Sequence, residues 1–373
     1  MDGALRRLSP TTVHVFAECP LRGAWSATRK PALLASGPAA RLGTIVHRLL
    51  EEAGRGELTD GSSTKVAQRW HELVNEAEDA MRASTLEKRF VPLRETAPKY
   101  EVARLRAEAR AGELARRPAA GEARADEATA SPHGYELRVE SADGLIAGRI
   151  DRALATEHGT ILQDYKSGAI FSLQEGDARP IKPEYALQLR LYAALYHEAT
   201  GTWPVRLELV PLAGDPQSVS FSQEECLHLL DRAKEILINV NEQLGHVSDG
   251  WDAIEASLAT PSPAACRFCS FRPACSQYLS TDHADDDREW PADVCGSFES
   301  LTKLGNGRLI LRLARRDGTH VFVRDLSEEV AAEMASAPEG TLVGAFNVRR
   351  TGSPQAFESG PLTTLYSRVA GTA

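Results

Sequence analysis

The chain has 373 residues, of which 42% are hydrophobic and 25% are charged, and its formal net charge is -9. This composition is that of a globular protein, and the length predicts two or three domains. The negative charge argues against a protein that coats nucleic acid with its whole surface, although it leaves room for a local basic channel. Because no apolar run reaches membrane-spanning length and residues 1–10 lack the apolar centre of a signal peptide, we expect a cytoplasmic protein.

Helical patterns dominate the first third of the chain. Residues 9–12 form a helix-start signal, and the helix that follows is expected to end near Cys19. Residues 63–132 are predicted to form a helical insertion that covers one edge of the core, with residues 118–132 as a linker. The arginines of this insertion are interpreted as a solvated face rather than as DNA contacts.

Residues 41–52 are also predicted to form a helix, with one informative stripe. Gly43, His47 and Glu51 follow each other at i, i+4 steps and therefore share one side of the helix. The glycine permits a close backbone approach, and His47 could present its imidazole to a metal ion. The alternative is an ordinary surface or core histidine, because this spacing is common in helices.

Two β-prone runs, residues 145–150 and 160–165, are separated by a His-Gly turn signal and predict a hairpin. Asp151 is expected at the end of the first strand. Asp164 and Lys166 are two residues apart, so they point to the same face of the second strand. Two carboxylates and an ammonium on one face are unfavourable in a core unless they bind something, and a divalent metal ion is the simplest candidate.

Further elements complete the predicted core. A strand at residues 135–139 precedes the hairpin, and a helix at residues 183–199 follows it, with Gln188 and Tyr192 on one face. The next elements are a strand at 205–212 and a helix at 222–244 that begins with a capping box. This order of one helix, three strands, one helix and one strand predicts an α/β core decorated by helices.

The last third changes in character. Two features precede it: a cysteine group with the spacing C-x2-C-x5-C and then an acidic stretch at residues 281–295. We interpret the acidic stretch as a linker. Residues 296–373 are predicted to form a small β-barrel, for which the OB type is a candidate. Its expected elements are strands at 309–313, 319–324, 342–347 and 363–368 and a short helix at 327–337. The predicted domains are therefore 1–280 and 296–373.

The carboxylates favour a particular chemistry. Asp151 and Asp164 suit Mg²⁺ or Mn²⁺, which prefer oxygen ligands, and a nitrogen from His47 would tilt the preference towards Mn²⁺. Lys166 could orient an attacking water molecule or neutralise developing charge. These are the requirements of phosphodiester hydrolysis.

The same residues resemble a known family. Asp151 followed by Asp164-x-Lys166 is the pattern of PD-(D/E)XK nucleases, and the order of the flanking motifs resembles that of RecB-type nuclease domains. These motifs are Gly43-x-x-x-His47-x-x-x-Glu51, Gly148-Arg149-Ile150-Asp151, Asp164-Tyr165-Lys166-Ser167-Gly168 and Gln188-x-x-x-Tyr192. The resemblance, which covers residues 9–280, implies a restriction-endonuclease-like core, a mixed central sheet flanked by helices. It also implies metal ligands at His47, Asp151, Asp164 and the Tyr165 carbonyl, a catalytic Lys166, and supporting roles for Gln188 and Tyr192.

The cysteines resemble those of the iron–sulfur subset of this family, which includes AddB-type and CRISPR-adaptation nucleases. That subset has one cysteine before the core and a C-x2-C-x5-C group after it, which here are Cys19 and then Cys266, Cys269 and Cys275. Four thiolates suit a structural [4Fe–4S] cluster, and a Cys₄ zinc site is the alternative. Structural disulfides are not expected in a cytoplasmic protein, and Cys226 and Cys295 lie outside the set.

Together these features predict a Mg²⁺- or Mn²⁺-dependent deoxyribonuclease. We expect it to act on single-stranded DNA or DNA ends, as an exonuclease for example, in DNA repair, recombination or phage defence. No phosphate-binding helicase motif is present, so unwinding would require a helicase or another protein partner. The barrel could guide single-stranded nucleic acid or dock a protein. The alternatives are a non-catalytic DNA-binding scaffold subunit and an RNA-directed nuclease.

Overall fold

The computed structural model describes residues 4–28, 30–58, 62–116, 133–172, 180–245, 251–281 and 287–367. The predicted linker at 118–132 and residues 282–286 of the predicted acidic linker lie outside the described residues. The chain forms two compact units. We call residues 2–17 and 37–242 the core unit, and residues 18–36 and 243–373 the cysteine unit. The predicted domain boundaries at residues 280 and 296 stay predictions.

The helices follow closely the apolar periodicity of the sequence. They are α1 (Val13–Glu18), α2 (Pro20–Ala27), α3 (Pro38–Gly54), α4 (Ser63–Arg82), α5 (Leu93–Thr96), α6 (Tyr100–Arg116), α7 (Pro183–Thr200), α8 (Gln223–Gly245), α9 (Trp251–Leu258), α10 (Pro263–Arg267) and α11 (Ser276–Ser280). Proline begins α2, α3, α7 and α10, since it has no amide hydrogen to leave unpaired in a first turn. One half of the predicted capping box of α8 is present, with the Glu225 amide donating to Ser222 Oγ at 3.1 Å, while the Glu225 carboxylate pairs with Arg190 at 2.9 Å.

The strands divide into two sheets. They are β1 (Gly134–Glu140), β2 (Ala147–Thr156), β3 (Gly159–Lys166), β4 (Arg206–Pro211), β5 (Gln217–Val219), β6 (Val294–Lys303), β7 (Leu309–Ala314), β8 (His320–Leu326), β9 (Leu342–Phe346), β10 (Arg349–Arg350), β11 (Ala356–Glu358) and β12 (Thr364–Ser367). The core unit holds β1 to β5 in that spatial order, and the cysteine unit holds the order β10-β11-β8-β7-β6-β9-β12.

The core sheet is mixed. Strands β1, β2 and β3 form an antiparallel meander, whereas β3 and β4 are parallel and are joined by α7 as the crossover. The predicted hairpin is confirmed, with pairs from Arg152↔Gln163 to Thr156↔Gly159. Gly159 has φ 123°, a value that suits glycine at this turn. Strand β2 runs to Thr156, so the expectation that Asp151 ends the strand is wrong: pairing with β3 extends β2 beyond its apolar run.

Helices cover the core sheet, which confirms the predicted α/β class. Helix α7 packs against β1, β2, β3 and β4, and α3 packs against α4 and α6 of the insertion. Trp70 on α4 is fully buried and donates from Nε1 to the hydroxyl of Tyr100 at 3.1 Å. The insertion is therefore a packed helical layer as far as Arg116, where the described part of it ends.

The C-terminal sheet has seven strands around one apolar cluster, centred on Leu311, Val321 and Val343. This supports the predicted all-β region in part; closure into an OB-type barrel stays a prediction. Strand β6 begins at Val294, inside the predicted acidic linker. The predicted helix at 327–337 is a shorter 3-10 helix, Ala332–Ser336. Within the described residues, no helix combines the length and apolarity needed to cross a bilayer.

Candidate functional site

The predicted carboxylates lie where the pairing between β2 and β3 stops. The last recorded pair is Arg152↔Gln163, so Asp151 and Asp164 occupy the next opposing positions. There the Tyr165 amide donates to Oδ2 of Asp151 at 2.6 Å. The Asp151 carboxylate on β2 thus accepts a hydrogen bond from a backbone N–H group of β3. The two aspartates lie on adjacent strands.

Asp164, Lys166 and Gln188 form a closed triangle of contacts. Lys166 Nζ lies 2.6 Å from Asp164 Oδ2 and donates to Gln188 Oε1 at 3.1 Å. Gln188 Nε2 donates to Asp164 Oδ1 at 2.7 Å. Lys166 Nζ also lies 4.6 Å from the centre of the Tyr185 ring, a cation–π distance. The position of the ammonium is therefore fixed by three side chains from β3 and α7.

Two glycines of the predicted motifs are explained by close packing. A Cβ added at Gly148 would lie 2.9 Å from a ring carbon of Tyr192, which is closer than side chains approach each other. A Cβ added at Gly43 would lie 3.1 Å from Ser167 Oγ. Gly148 therefore lets Tyr192 of α7 pack directly on β2, and Gly43 lets α3 approach the end of β3.

The site is electrostatically costly without a cation. Burial raises the pKa of Asp151 well above its ordinary value, and repulsion from Asp164 raises it further. Burial also raises the pKa of Asp164, although the Lys166 ammonium opposes this effect. Burial lowers the pKa of His47, so its imidazole is neutral near pH 7 and has a free lone pair. Burial and the two aspartates raise the pKa of Tyr192.

Glu136 is a residue of the site that sequence reasoning missed. The pairs Tyr135↔Arg152 and Leu137↔Ile150 flank it, so it stands opposite Asp151 across β1 and β2. Its backbone has φ 51°, which is uncommon for a residue other than glycine. Burial and Glu51 raise its pKa, and Glu136 in turn raises the pKa of Asp151. Only the strand register could have revealed it.

The donor set fits a hard divalent cation. Among the described residues, no three His, Cys, Asp or Glu side chains already converge closely enough to hold an ion. However, Oδ2 of Asp164 is buried and meets the Lys166 ammonium at 2.6 Å without regular hydrogen-bond geometry. A divalent cation would relieve the repulsion between Asp164 and Asp151, and carboxylate oxygens are its preferred ligands.

The four predicted cysteines line one cavity in the cysteine unit. Cys19 precedes α2, whereas Cys266, Cys269 and Cys275 lie on or beside α10 and α11, and all four residues line the same small cavity. All four residues are buried. Neither Cys226 nor Cys295 is among the residues that line this cavity. The fold thus brings Cys19 together with three cysteines that lie more than 240 residues further along the chain.

Hydrogen bonds and positive charges surround these sulfurs. The Tyr278 amide donates to Cys275 Sγ at 3.4 Å, and Arg272 donates to the carbonyls of Cys266 and Cys269, each at 2.9 Å. Burial raises the pKa of Cys266 to about 11 and that of Cys275 to about 12. The thiols of Cys266 and Cys275 are therefore protonated when nothing is bound, and a metal or cluster would displace these protons.

A mixed sheet that carries two carboxylates and a lysine between flanking helices has the architecture of a restriction-endonuclease-like core. The family model of the PD-(D/E)XK nuclease superfamily matches residues 7–276. The chain belongs to this superfamily, which implies a nuclease, and nucleases of this superfamily generally use Mg²⁺ or Mn²⁺. Comparisons with curated proteins and with solved structures found no match.

Proposed function

We propose that this protein is a Mg²⁺- or Mn²⁺-dependent deoxyribonuclease of the RecB type that cleaves single-stranded DNA or DNA ends. The observation that supports the proposal most strongly is the triangle of Asp164, Lys166 and Gln188 beside Asp151. A scaffold subunit has no need for an ammonium held 2.6 Å from a buried carboxylate, because burying such charges is costly.

The residues of the site would have separate roles in metal binding and hydrolysis. Asp151 and Asp164 would hold the cation, with the neutral imidazole of His47 and the main-chain carbonyl of Tyr165 completing the set. When bound, the cation would polarise the phosphate and lower the pKa of a water molecule. Lys166 orients the attacking water and offsets the negative charge that develops on the phosphate.

Gln188 and Tyr192 support this arrangement from α7. Gln188 accepts from Lys166 and donates to Asp164, so it keeps the ammonium from swinging away from the carboxylate. Tyr192 packs on Gly148 and holds α7 against β2. Both are positioning residues, because neither needs to touch the phosphate.

Cleavage assays test this proposal. Labelled single-stranded, double-stranded and flapped DNA and RNA are incubated with Mg²⁺ or Mn²⁺, and single-stranded DNA is expected to be cut fastest. Lys166→Ala and Asp151→Ala should each abolish cleavage, while Lys303→Ala, an exposed lysine of the cysteine unit, should not. Activity that survives both site substitutions would refute the assignment, and faster cleavage of RNA would favour an RNA-directed nuclease.

We further propose that Cys19, Cys266, Cys269 and Cys275 hold a structural [4Fe–4S] cluster. The four thiols line one cavity, as the ligands of one cluster must. Amide donors to sulfur and nearby arginines are the surroundings that stabilise a thiolate cluster.

The metal content decides between the cluster and zinc. Protein purified without oxygen should be brown and contain about four irons, as expected for a [4Fe–4S] cluster. Cys269→Ser should lose the colour, whereas Cys295→Ala should keep it. A colourless protein with one equivalent of zinc would overturn the cluster and leave the nuclease proposal intact.

We place the activity in DNA repair, recombination or phage defence, with a helicase partner that supplies single strands. Membership of a superfamily of nucleases that act on DNA supports this placement. Deletion of the protein should sensitise its host to DNA breaks or to phage, and the Lys166→Ala protein should fail to restore resistance. Full restoration by that variant would favour the scaffold alternative.

A further inference from the structure

A large cleft opens beside Lys166 in the core unit. It contains about 1500 Å³ of empty space, part of it open to solvent. One wall is α3 together with the start of α6, and the floor is the segment 166–171 that leaves β3. The other wall is the turn 211–215 between β4 and β5. The helical insertion therefore shapes the approach to the candidate catalytic lysine.

The side of α6 that faces this cleft differs from the rest of the helix. Val102, Ala103 and Arg106 line the cleft at helical spacing, and Lys99 lines it just before the helix begins. Val102 is 44% exposed and presents an apolar surface to the cleft. This face thus offers an apolar strip with a cation at each end.

Lys99 and Arg106 have no acidic partner among the described residues, unlike the neighbouring Arg104. Arg104, on another side of α6, is paired with Glu101 at 2.8 Å and with Glu108 at 3.0 Å. Lys99 and Arg106 are exposed, and neither forms an ion pair with any described residue. Nothing in the described protein neutralises them, so they can meet charges of a ligand.

The opposite wall is tied to the same helix. Arg110 of α6 donates from Nη2 to the Gly214 carbonyl at 3.2 Å and to the Pro211 carbonyl at 3.4 Å. The turn and α6 are therefore held as one frame around the cleft. Against Lys99, Arg106 and Lys166, Asp215 is the acidic residue among the described lining residues.

We propose that this cleft carries the DNA strand to the active site, with Lys99 and Arg106 bound to its phosphates and Val102 against its sugars and bases. This rests on the proposed nuclease function. Seven residues of α-helical rise span about 10 Å, so the two cations can meet separate phosphates of one strand. One row of cations fits one backbone, which favours a single strand.

Binding without cleavage tests the proposal. The affinity for a labelled oligothymidylate is measured by fluorescence anisotropy in EDTA, between 50 and ~200 mM salt. Lys99→Gln and Arg106→Gln should each weaken binding about fivefold at ~0.1 M salt and reduce the slope of log K against log[salt] by about 0.7. The double variant should lose about 25-fold. Arg104→Gln, with the same change of charge on the same helix, should show neither effect, and Val102→Asp should weaken binding by repulsion.

The outcomes separate this inference from the nuclease proposal. Equal effects of Arg104→Gln and Arg106→Gln would overturn the proposed strand path, as would tighter binding of duplex DNA or of RNA that depends on the same two cations. If the wild-type protein binds as expected but cuts nothing, the nuclease proposal fails and the strand path stands. If it cuts and Arg106→Gln leaves KM unchanged, the strand path fails and the nuclease proposal stands.

Discussion

Arg272 is expected to be the most sensitive position of the cysteine unit. It is 2% exposed, and its Nε donates to Asp293 Oδ2 at 2.6 Å while Nη2 donates to Asn347 Oδ1 at 2.6 Å. Its Nη1 donates to the carbonyls of Cys266 and Cys269. The guanidinium thus joins the cysteine turn to the seven-stranded sheet, with every partner inside one unit.

The cost of Arg272→Met follows from these contacts. Methionine keeps most of the apolar stem, but Asp293, whose side chain is only 4% exposed, loses its counter-charge. Breaking a buried ion pair in this way costs about 3–5 kcal/mol. For a unit of this size each kcal/mol lowers the Tm by about 2–4 °C, so we expect a decrease on the order of 10 °C or more.

Thermal unfolding of the cysteine unit measures this effect. The control is Arg312→Met, because Arg312 forms a similar 2.6 Å pair with Glu299 but is 43% exposed, and such surface pairs contribute less than about 1 kcal/mol. Adding Asp293→Asn to Arg272→Met should recover part of the loss, since the unpaired buried charge is removed. If Arg272→Met shifts Tm no more than the control does, the buried pair does not stabilise the unit and the reasoning is wrong.

Two further predictions concern the core unit. The pKa of Asp151 is raised in the folded protein. Between pH 3.8 and that raised pKa, the folded protein therefore binds more protons than the unfolded chain. The free energy of unfolding, measured in EDTA, should fall as the pH rises through this range. In urea denaturation Mg²⁺ should offset that fall, and Asp151→Asn should reduce both effects, while Asp164, whose pKa is also raised, keeps its own share; an identical pH profile for the variant would contradict the assignment. Gly148→Ala should cost about 1–3 kcal/mol and reduce cleavage, because the new Cβ meets Tyr192 at 2.9 Å. Gly168→Ala, with open space around it, is the control, and equal stability of the two variants would sink the packing argument.

Local periodicity was sufficient to predict part of the site. The shared face of Asp164 and Lys166 follows from the two-residue period of a strand, and their 2.6 Å contact agrees with it. Gln188 could be placed on a helix, but its role as a bridge depends on how α7 crosses the sheet. Glu136 and the mid-strand position of Asp151 depend on register, which no pattern within one strand encodes.

Tertiary contacts also decided what the cysteine pattern could not show. The spacing of Cys266, Cys269 and Cys275 predicted a ligand group, and the structure places Cys19 at the same cavity. Arg272, between those cysteines, has nothing in its sequence context that distinguishes it from a surface arginine. Strand β6 was missed at Val294 because its first residues follow an acidic run, where charge patterning argues for a linker.

The two candidate sites share one electrostatic property. In the core unit burial raises the pKa of Asp151 and Asp164, and in the cysteine unit burial raises that of Cys266 and Cys275. Each unit therefore disfavours the anionic side chains that a metal ion requires as ligands. A bound cation displaces protons from these side chains and stabilises the unit that holds it. The cost of removing a cation must then grow with pH. For the carboxylates this rise begins above their ordinary pKa and ends once the pH has passed their raised pKa values. For Cys266 and Cys275 it extends to about pH 11 and about pH 12, so these two thiols stay protonated at pH 7 once their ligand has gone. Chelation at pH 7 should consequently leave these thiols neutral, whereas repulsion between the carboxylates appears only above their raised pKa values.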